Sequence, residues 1–422
     1  MGSTDAKPLS QRDDQVKVEG AAPSEQELKA KFGRDIFRDF DYDDPKFNDR
    51  FIETLDTQLR HCPVSRSNVG TGYWWVTRNE DVRRVGQDWK TFSNAKGYQP
   101  NRPEGLPYLF PEESDPPNHT AWRNALNPHL SPQAVAGYEA RIREDANILI
   151  DRFIDKGHCE FISEFGAILP GWAFFKNILG VPVEDLAMLV NGVEQGTFAQ
   201  PVSERAVHFA KVFEYLGKYL EERSKQPPNG DMVSTILGGV TYEDGTPAPW
   251  EHKLSVLVDI TFGGIATTTY VMGSVLHHLA THPADREALV DNPSMMPNAI
   301  EEFARVFPPI VGLGRTCTRD VEVAGTPMKE GDFVMLAYSA SSRDPRVVEN
   351  PHKIDITRES VLHSTFGVGP HRCIGSNLAR LELRATFEEW LKRIPDFALK
   401  AGTHPQYETG FLRSMRELHL VW

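Results

Sequence analysis

Apolar residues recur every three or four positions over about 134–156, 203–226, 250–282, 297–307 and 376–393, the spacing that lines one face of a helix. Shorter runs alternate instead: Gly72-Tyr73-Trp74-Trp75-Val76-Thr77 and the stretch from Val321 to Leu336 read as strands, with turns at Gly325 and Glu330-Gly331. Helical patterns dominate, so the predicted fold class is mainly α with a small β-sheet region. Residues 1–28 are polar and charged without an apolar core and read as disordered. Residues 29–422 contain no Ser/Gly-rich linker, no repeat and no break in composition, which predicts one domain. A domain of that length is large enough to enclose a cofactor and a substrate pocket together.

A net charge of −13 argues against nucleic acid as a partner. The four cysteines, Cys62, Cys159, Cys317 and Cys373, lack Cys-x-x-Cys spacing and read as reduced thiols. Neither a signal peptide nor a run of about 18 apolar residues is present, so the expectation is a cytoplasmic protein with no membrane partner.

Four constellations carry chemistry. In Phe366-Gly367-Val368-Gly369-Pro370-His371-Arg372-Cys373-Ile374-Gly375, a cysteine stands among glycines with an amphipathic segment behind it. Glycines let backbone come close and turn N–H groups toward a sulfur, which suits a shielded thiolate ligand; the plain alternative is a small buried hydrophobe. Glu302 and Arg305 stand three apart on the 299–307 helix, which Pro308-Pro309 ends. Alone they are an ordinary ion pair. Asp259-Ile260-Thr261-Phe262-Gly263-Gly264-Ile265-Ala266-Thr267-Thr268-Thr269 puts two glycines inside a helical pattern, each costing about 1 kcal/mol relative to alanine, so Gly263 and Gly264 suggest close approach of something flat. For Thr268 and Thr269 a hydroxyl bonded back to a carbonyl four residues earlier is an adequate account. The last constellation, Asp115-Pro116-Pro117-Asn118-His119-Thr120-Ala121-Trp122-Arg123, offers a histidine and an arginine on one segment.

Taken in order, these runs resemble the cytochrome P450 family, the haem-thiolate monooxygenases, over roughly residues 35–422. The likeness is to its soluble bacterial members, of the camphor- and cineole-type terpenoid hydroxylases. The resemblance implies the P450 prism fold, haem b (iron protoporphyrin IX), and a loop in which Phe366, Gly367, Gly369, His371, Cys373 and Gly375 match, with Cys373 as the metal ligand. It implies that Glu302 and Arg305, joined by Arg358 of Ile354-Asp355-Ile356-Thr357-Arg358, are buried and structural. Thr267 aligns with the threonine that hydrogen-bonds dioxygen and helps deliver protons. His119, Arg123, Arg315 and His371 would meet the haem propionates, which need donors when buried.

One departure stands out. The residue before that threonine is usually an acid, and here it is Ala266. Two carboxylates are candidates to replace it. On an unbroken helix Asp259 shares a stripe with Gly263 and Thr267, about 12 Å along the axis from the latter. It would relay protons or grip a polar or cationic substrate; an interhelical salt bridge or a solvent-facing position is the competing reading. Glu382 aligns with an acid that some relatives place near the oxygen-binding groove. By family position Tyr108, Phe110, Phe198, Phe262, Val311, Leu313 and Phe411, with Ile310, would line a pocket for a small hydrophobic substrate, terpenoid or aromatic, although Tyr108 suits a surface loop equally well. No Gly-x-Gly-x-x-Gly follows a strand and no flavin or iron–sulfur domain is fused to the chain. Electrons would therefore come from a [2Fe–2S] ferredoxin or flavodoxin with an NAD(P)H-dependent reductase, docking near Arg372, Arg380 and Arg384 on a monomer. Two other readings stay open: a peroxide-using or rearranging haem-thiolate enzyme, and a non-catalytic haem sensor or carrier.

Overall fold

The computed structural model describes residues 21–100, 107–198, 204–408 and 410–422. Its first helix, Glu25–Phe32, opens on a reciprocal cap in which Ser24 and Glu27 satisfy each other's backbone N–H groups, and Gly33 stops it at φ +77°. Order thus begins inside the 1–28 segment read as disordered. With two buried residues, Leu28 and Phe32, the helix is too short for its periodicity to register. Residues 1–20 lie outside the described part.

The molecule is mainly helical, as its pattern predicts, but two of the long apolar segments divide. Segment 134–156 breaks at Gly137-Tyr138 into Pro132–Ala136 and Glu139–Asp151. Segment 250–282 becomes Trp250–Gly263 and Ala266–Thr281. At this second break the Thr267 hydroxyl donates to the Gly263 carbonyl at 3.0 Å, the carbonyl that the Thr267 amide would take in an unbroken helix. Trp250–Thr281 as a whole is long and apolar enough to cross a membrane, yet 61% of its most apolar window is buried inside the molecule.

Five short strands form the main sheet in the order Val64–Ser67, Tyr73–Val76, Phe333–Leu336, Leu313–Cys317, Phe92–Ser93. All neighbours are antiparallel except Tyr73–Val76 with Phe333–Leu336, where Val76 faces Leu336 in parallel register. The Val321–Val323 and Thr326–Met328 hairpin turns at Ala324-Gly325, both at positive φ, where the sequence places a turn. Behind the helices, Trp390 of Ser376–Arg393 is surrounded by the rings of Phe153, Phe161, Phe165, Phe397 and Trp422 at 5.4 to 6.1 Å. This aromatic core holds Ser376–Arg393 against Glu139–Asp151 and Ala266–Thr281.

Candidate active site

The glycines of the 366–375 loop are fixed by what surrounds them. Gly369 has φ +74°, and a Cβ there would lie 2.1 Å from the Gly86 carbonyl oxygen. A Cβ on Gly86 would lie 2.4 Å from Val368 Cγ2. Two glycines thus interlock the loop with the Asn79–Gln87 helix. Gly367, at φ +66°, turns the chain so that the Cys373 N–H reaches the Phe366 carbonyl at 2.7 Å. Cys373 has accessible surface, yet burial pushes its thiol up, opposed by the Gly375 N–H and the charge of Arg123. A group that is both accessible and desolvated faces an internal chamber.

The wall beside the loop is polar. His119 and His371 lie with ring centres 4.1 Å apart, tilted by 45°, are 3% and 7% exposed, and have no hydrogen-bond partner on any ring nitrogen. Burial first, then the charges of Arg123 and Arg315, lowers His119 to about 4. His371 is also lowered, by burial, Arg315 and then His119, so both rings are neutral at pH 7. The Arg123 Nε is likewise buried without a partner. Arg315 is 2% exposed, donates to the Gly314 carbonyl at 2.7 Å and reaches the Tyr338 hydroxyl. Glu112 and Asp259 complete this wall, both raised by burial.

The broken helix forms the facing wall. A Cβ added to Gly263 would meet nothing within 4 Å, whereas one on Gly264 would meet Phe174 at 3.4 Å. Gly263 alone therefore opens on the chamber; Gly264, turned about 100° further round, packs on a neighbouring helix. Thr268 contradicts its reading as a back-bonded turn residue, because its hydroxyl reaches Glu382. Thr269 does bond back, to Ile265, and also to the Gly166 carbonyl at 2.9 Å. Glu382 is 1% exposed, its Oε1 has no partner, and burial holds its carboxyl well above the usual range. Ala266 packs with Leu412, Ile310 and Phe411.

A family model described as cytochrome P450 matches residues 196–409. Probable cytochrome P450 127A1 of Sinorhizobium fredii is 31% identical over 85% of this chain and 85% of that protein. The chain belongs to the cytochrome P450 family. Linalool 8-monooxygenase of Pseudomonas putida is 27% identical over 83% of this P450 and 90% of that enzyme. The crystal structure of CYP101C1 superposes with a TM-score of 0.82 at 28% identity, covering 91% of this chain and 97% of that one.

Cytochromes P450 carry haem b, and the residues present fit it. A desolvated thiol, a glycine with open space above it, two neutral imidazoles and a guanidinium nitrogen without partners are the groups that a flat iron macrocycle with two carboxylates would satisfy. Phe366 holds the loop from behind, with the Arg380 guanidinium 4.2 Å from its ring centre. Deeper still, Glu302 and Arg305 are fully buried and joined by two contacts of 2.8 Å; Arg358 reaches Glu302 at 3.2 Å, and Arg305 also donates to the carbonyls of Ser342, Pro351 and Lys353.

Other sequence expectations find different surroundings. Asp259 does not share an unbroken stripe with Thr267, since the helix is interrupted between them; it meets the Glu112 backbone N–H instead. Phe110 stacks on His252 at 4.0 Å, Phe262 packs edge-on to Phe209 at 4.6 Å, and Tyr108 is 44% exposed. Val311 is sealed among Phe40, Tyr73 and Trp75, and Leu313 packs within the main sheet. Phe411 does approach the site, beside Ala266 and Leu412. Phe198 ends the Leu186–Phe198 helix, and its side chain lies outside the described residues. Arg380 is tied to Glu301 and Arg384 to Glu139, leaving Arg372 as the exposed member of the expected docking cations. Glu112, Tyr338 and Gly86 carry no motif that would single them out; the nearest signal is that Glu112 lies three residues before the Asp115–Arg123 run.

Proposed function

We propose that this P450 monooxygenase uses Cys373 as its axial thiolate and hydroxylates a compact substrate with an apolar body of terpenoid or aromatic size. The observation that carries the ligand assignment is the Cys373 thiol, accessible yet desolvated, with the Gly375 N–H directed at it. Haem bound through a thiolate supplies O2 activation, inserting one oxygen atom into substrate and reducing the other to water. His119, Arg123, Arg315 and His371 would hold the propionates, two as cations and two as neutral donors. Gly263 leaves room above the ring. The apolar face of Ala266, Ile310, Leu412 and Phe411 seats the substrate body and excludes water.

Protons are the task of Glu382 and the threonines. Glu382 is buried with its carboxyl pushed well above the usual carboxylate range, and Thr268 links it to the helix turn that carries Thr267. In this reading Glu382 takes over from the acid absent at position 266. Electrons come from a separate [2Fe–2S] ferredoxin or flavodoxin with its NAD(P)H-dependent reductase, and the enzyme works as a cytoplasmic monomer. That linalool 8-monooxygenase is among the relatives supports the size class of the substrate.

The deciding experiment is the carbon monoxide spectrum of dithionite-reduced protein beside that of Cys373→Ser. The expected result is a Soret band at the red-shifted position of thiolate-ligated haem, lost in the variant. A histidine-type band in the wild type would overturn the assignment.

A further inference from the structure

The Phe366 ring, one residue before the turn at Gly367, is gripped by polar groups. It is half-buried and, among the described residues, joins none of the apolar core clusters. The Arg380 guanidinium lies 4.2 Å from its ring centre, and the His363 imidazole is tilted against it with ring centres 5.8 Å apart. One carboxylate holds both. Glu301 accepts from Arg380 Nε on one oxygen and from Nη2 on the other, the latter at 2.8 Å, and meets His363 Nε2 at 3.2 Å. The remaining nitrogens are committed as well. Arg380 Nη1 donates to the Ser376 carbonyl at 3.1 Å, and His363 Nδ1 accepts the Thr365 N–H at 3.3 Å, which leaves the imidazole proton on Nε2, facing Glu301. Burial works against a charged Glu301, but Arg380 and His363 outweigh it and hold the carboxyl down at about 2.

This clamp leads to the cysteine. The Phe366 carbonyl takes the Cys373 N–H at 2.7 Å, so the residue whose ring is gripped also anchors the Cys373 backbone. Thr365 donates its hydroxyl to the Ala304 carbonyl at 2.7 Å, on the same Met296–Val306 helix that carries Glu301. Glu301 and Glu302 are neighbours with different tasks. Glu302 closes a fully buried ion group, whereas Glu301 and Arg380 keep 29% and 28% of their side-chain surface exposed. A pair so exposed adds little to global stability, and what it holds in place is the Phe366 ring.

We propose that Glu301 is a positioning residue for the Cys373 ligand: through Arg380 and His363 it fixes the Phe366 ring, and with it the carbonyl that takes the Cys373 N–H. This rests on the P450 reading of the site and adds to it the groups that keep the thiolate in place. It also gives Arg380 a task within the loop's support in place of partner docking.

The test follows the carbon monoxide band of reduced, haem-loaded protein with time in mild urea, where loss of the thiolate-type band reports loss of the cysteine ligand. Removing a charge-assisted clamp in Glu301→Gln should speed that loss about tenfold, with the far-UV melt nearly unmoved. In a Phe366→Leu background the same substitution should add less than about twofold, since the ring through which it acts is gone. Glu389→Gln, which breaks a 2.9 Å contact with Arg143 on the same Ser376–Arg393 helix, should leave the rate at the wild-type value. Should Glu301→Gln not load haem, Arg380→Met breaks the same contact from its other end and decides by the same tenfold criterion. A Glu301→Gln rate within about twofold of wild type overturns the proposal, as does an acceleration that persists in full without Phe366 or is matched by Glu389→Gln. Any of these with a thiolate-type band in the wild type sinks this inference alone; a histidine-type band there sinks the site reading itself.

Discussion

At position 266 an acid would meet Ile310, Leu412 and Phe411, three side chains with nothing to offer a carboxylate. Alanine suits that packing, and the proposed proton-bearing group is Glu382, on the Ser376–Arg393 helix. General acid catalysis contributes about a hundredfold or more, so Glu382→Gln should lower turnover by about tenfold to a hundredfold with haem content and substrate affinity unchanged. Thr268→Val should act in the same direction. Product formation and NAD(P)H consumption measured together check this, and an unaltered rate in Glu382→Gln would remove the residue from the proton path. His119 permits a test of the cofactor wall. Its ring, lowered from 6.5 to about 4, stays neutral in the apo chain while the unfolded chain is protonated, so its share of stability is whole above 6.5 and lost as pH falls toward 4. Two propionates should raise that value and narrow the window. Carbon-13 signals of labelled histidine, titrated in apo protein and in protein loaded with diamagnetic zinc protoporphyrin, should show the upward move; an unchanged titration means that His119 does not face the propionates.

Among the elements, the helix divided at Gly263 to Ala266 shows where sequence pattern stops being informative. Apolar spacing runs through the break without a flaw, because both halves carry buried apolar residues up to it, and a periodicity set by burial carries no mark of a carbonyl taken by a hydroxyl. Glycines were the one visible sign, and they marked the place without giving its geometry. The 366–375 loop was legible for the opposite reason: its conformation demands glycine at Gly367 and Gly369, so the demand is written in residue type. Gly369→Ala should therefore shift the loop by forcing a Cβ into the Gly86 carbonyl, with a lower thermal midpoint and weakened haem retention, both read from a melt followed at the Soret band. The buried Glu302 group gives an energetic counterpart. Replacing Glu302 by Gln strands Arg305 and Arg358 inside the protein, and urea unfolding should show a loss of about 3–5 kcal/mol. A loss below about 1 kcal/mol, the worth of a surface pair, contradicts the burial described here.

On the scale of the whole molecule, the motif residues proposed to hold the cofactor were readable one at a time, whereas the surroundings of the residues expected to line the substrate pocket were not. Phe110, Phe262, Val311 and Leu313 are apolar and near the right segments, but hydrophobicity does not tell a pocket face from a packing face, and each found a partner in the core or the sheet. Glu112 and Asp259 are brought together only by folding. The same long-range assembly bears on the order of events during synthesis. The loop that presents Cys373 leaves the ribosome well after the glycine it locks against, Gly86. The earlier helix must wait for that later segment before it can dock. Cofactor capture is then a late, post-translational event, and cells starved of haem should accumulate a full-length chain whose early helix is undocked and open to proteolysis near residue 86.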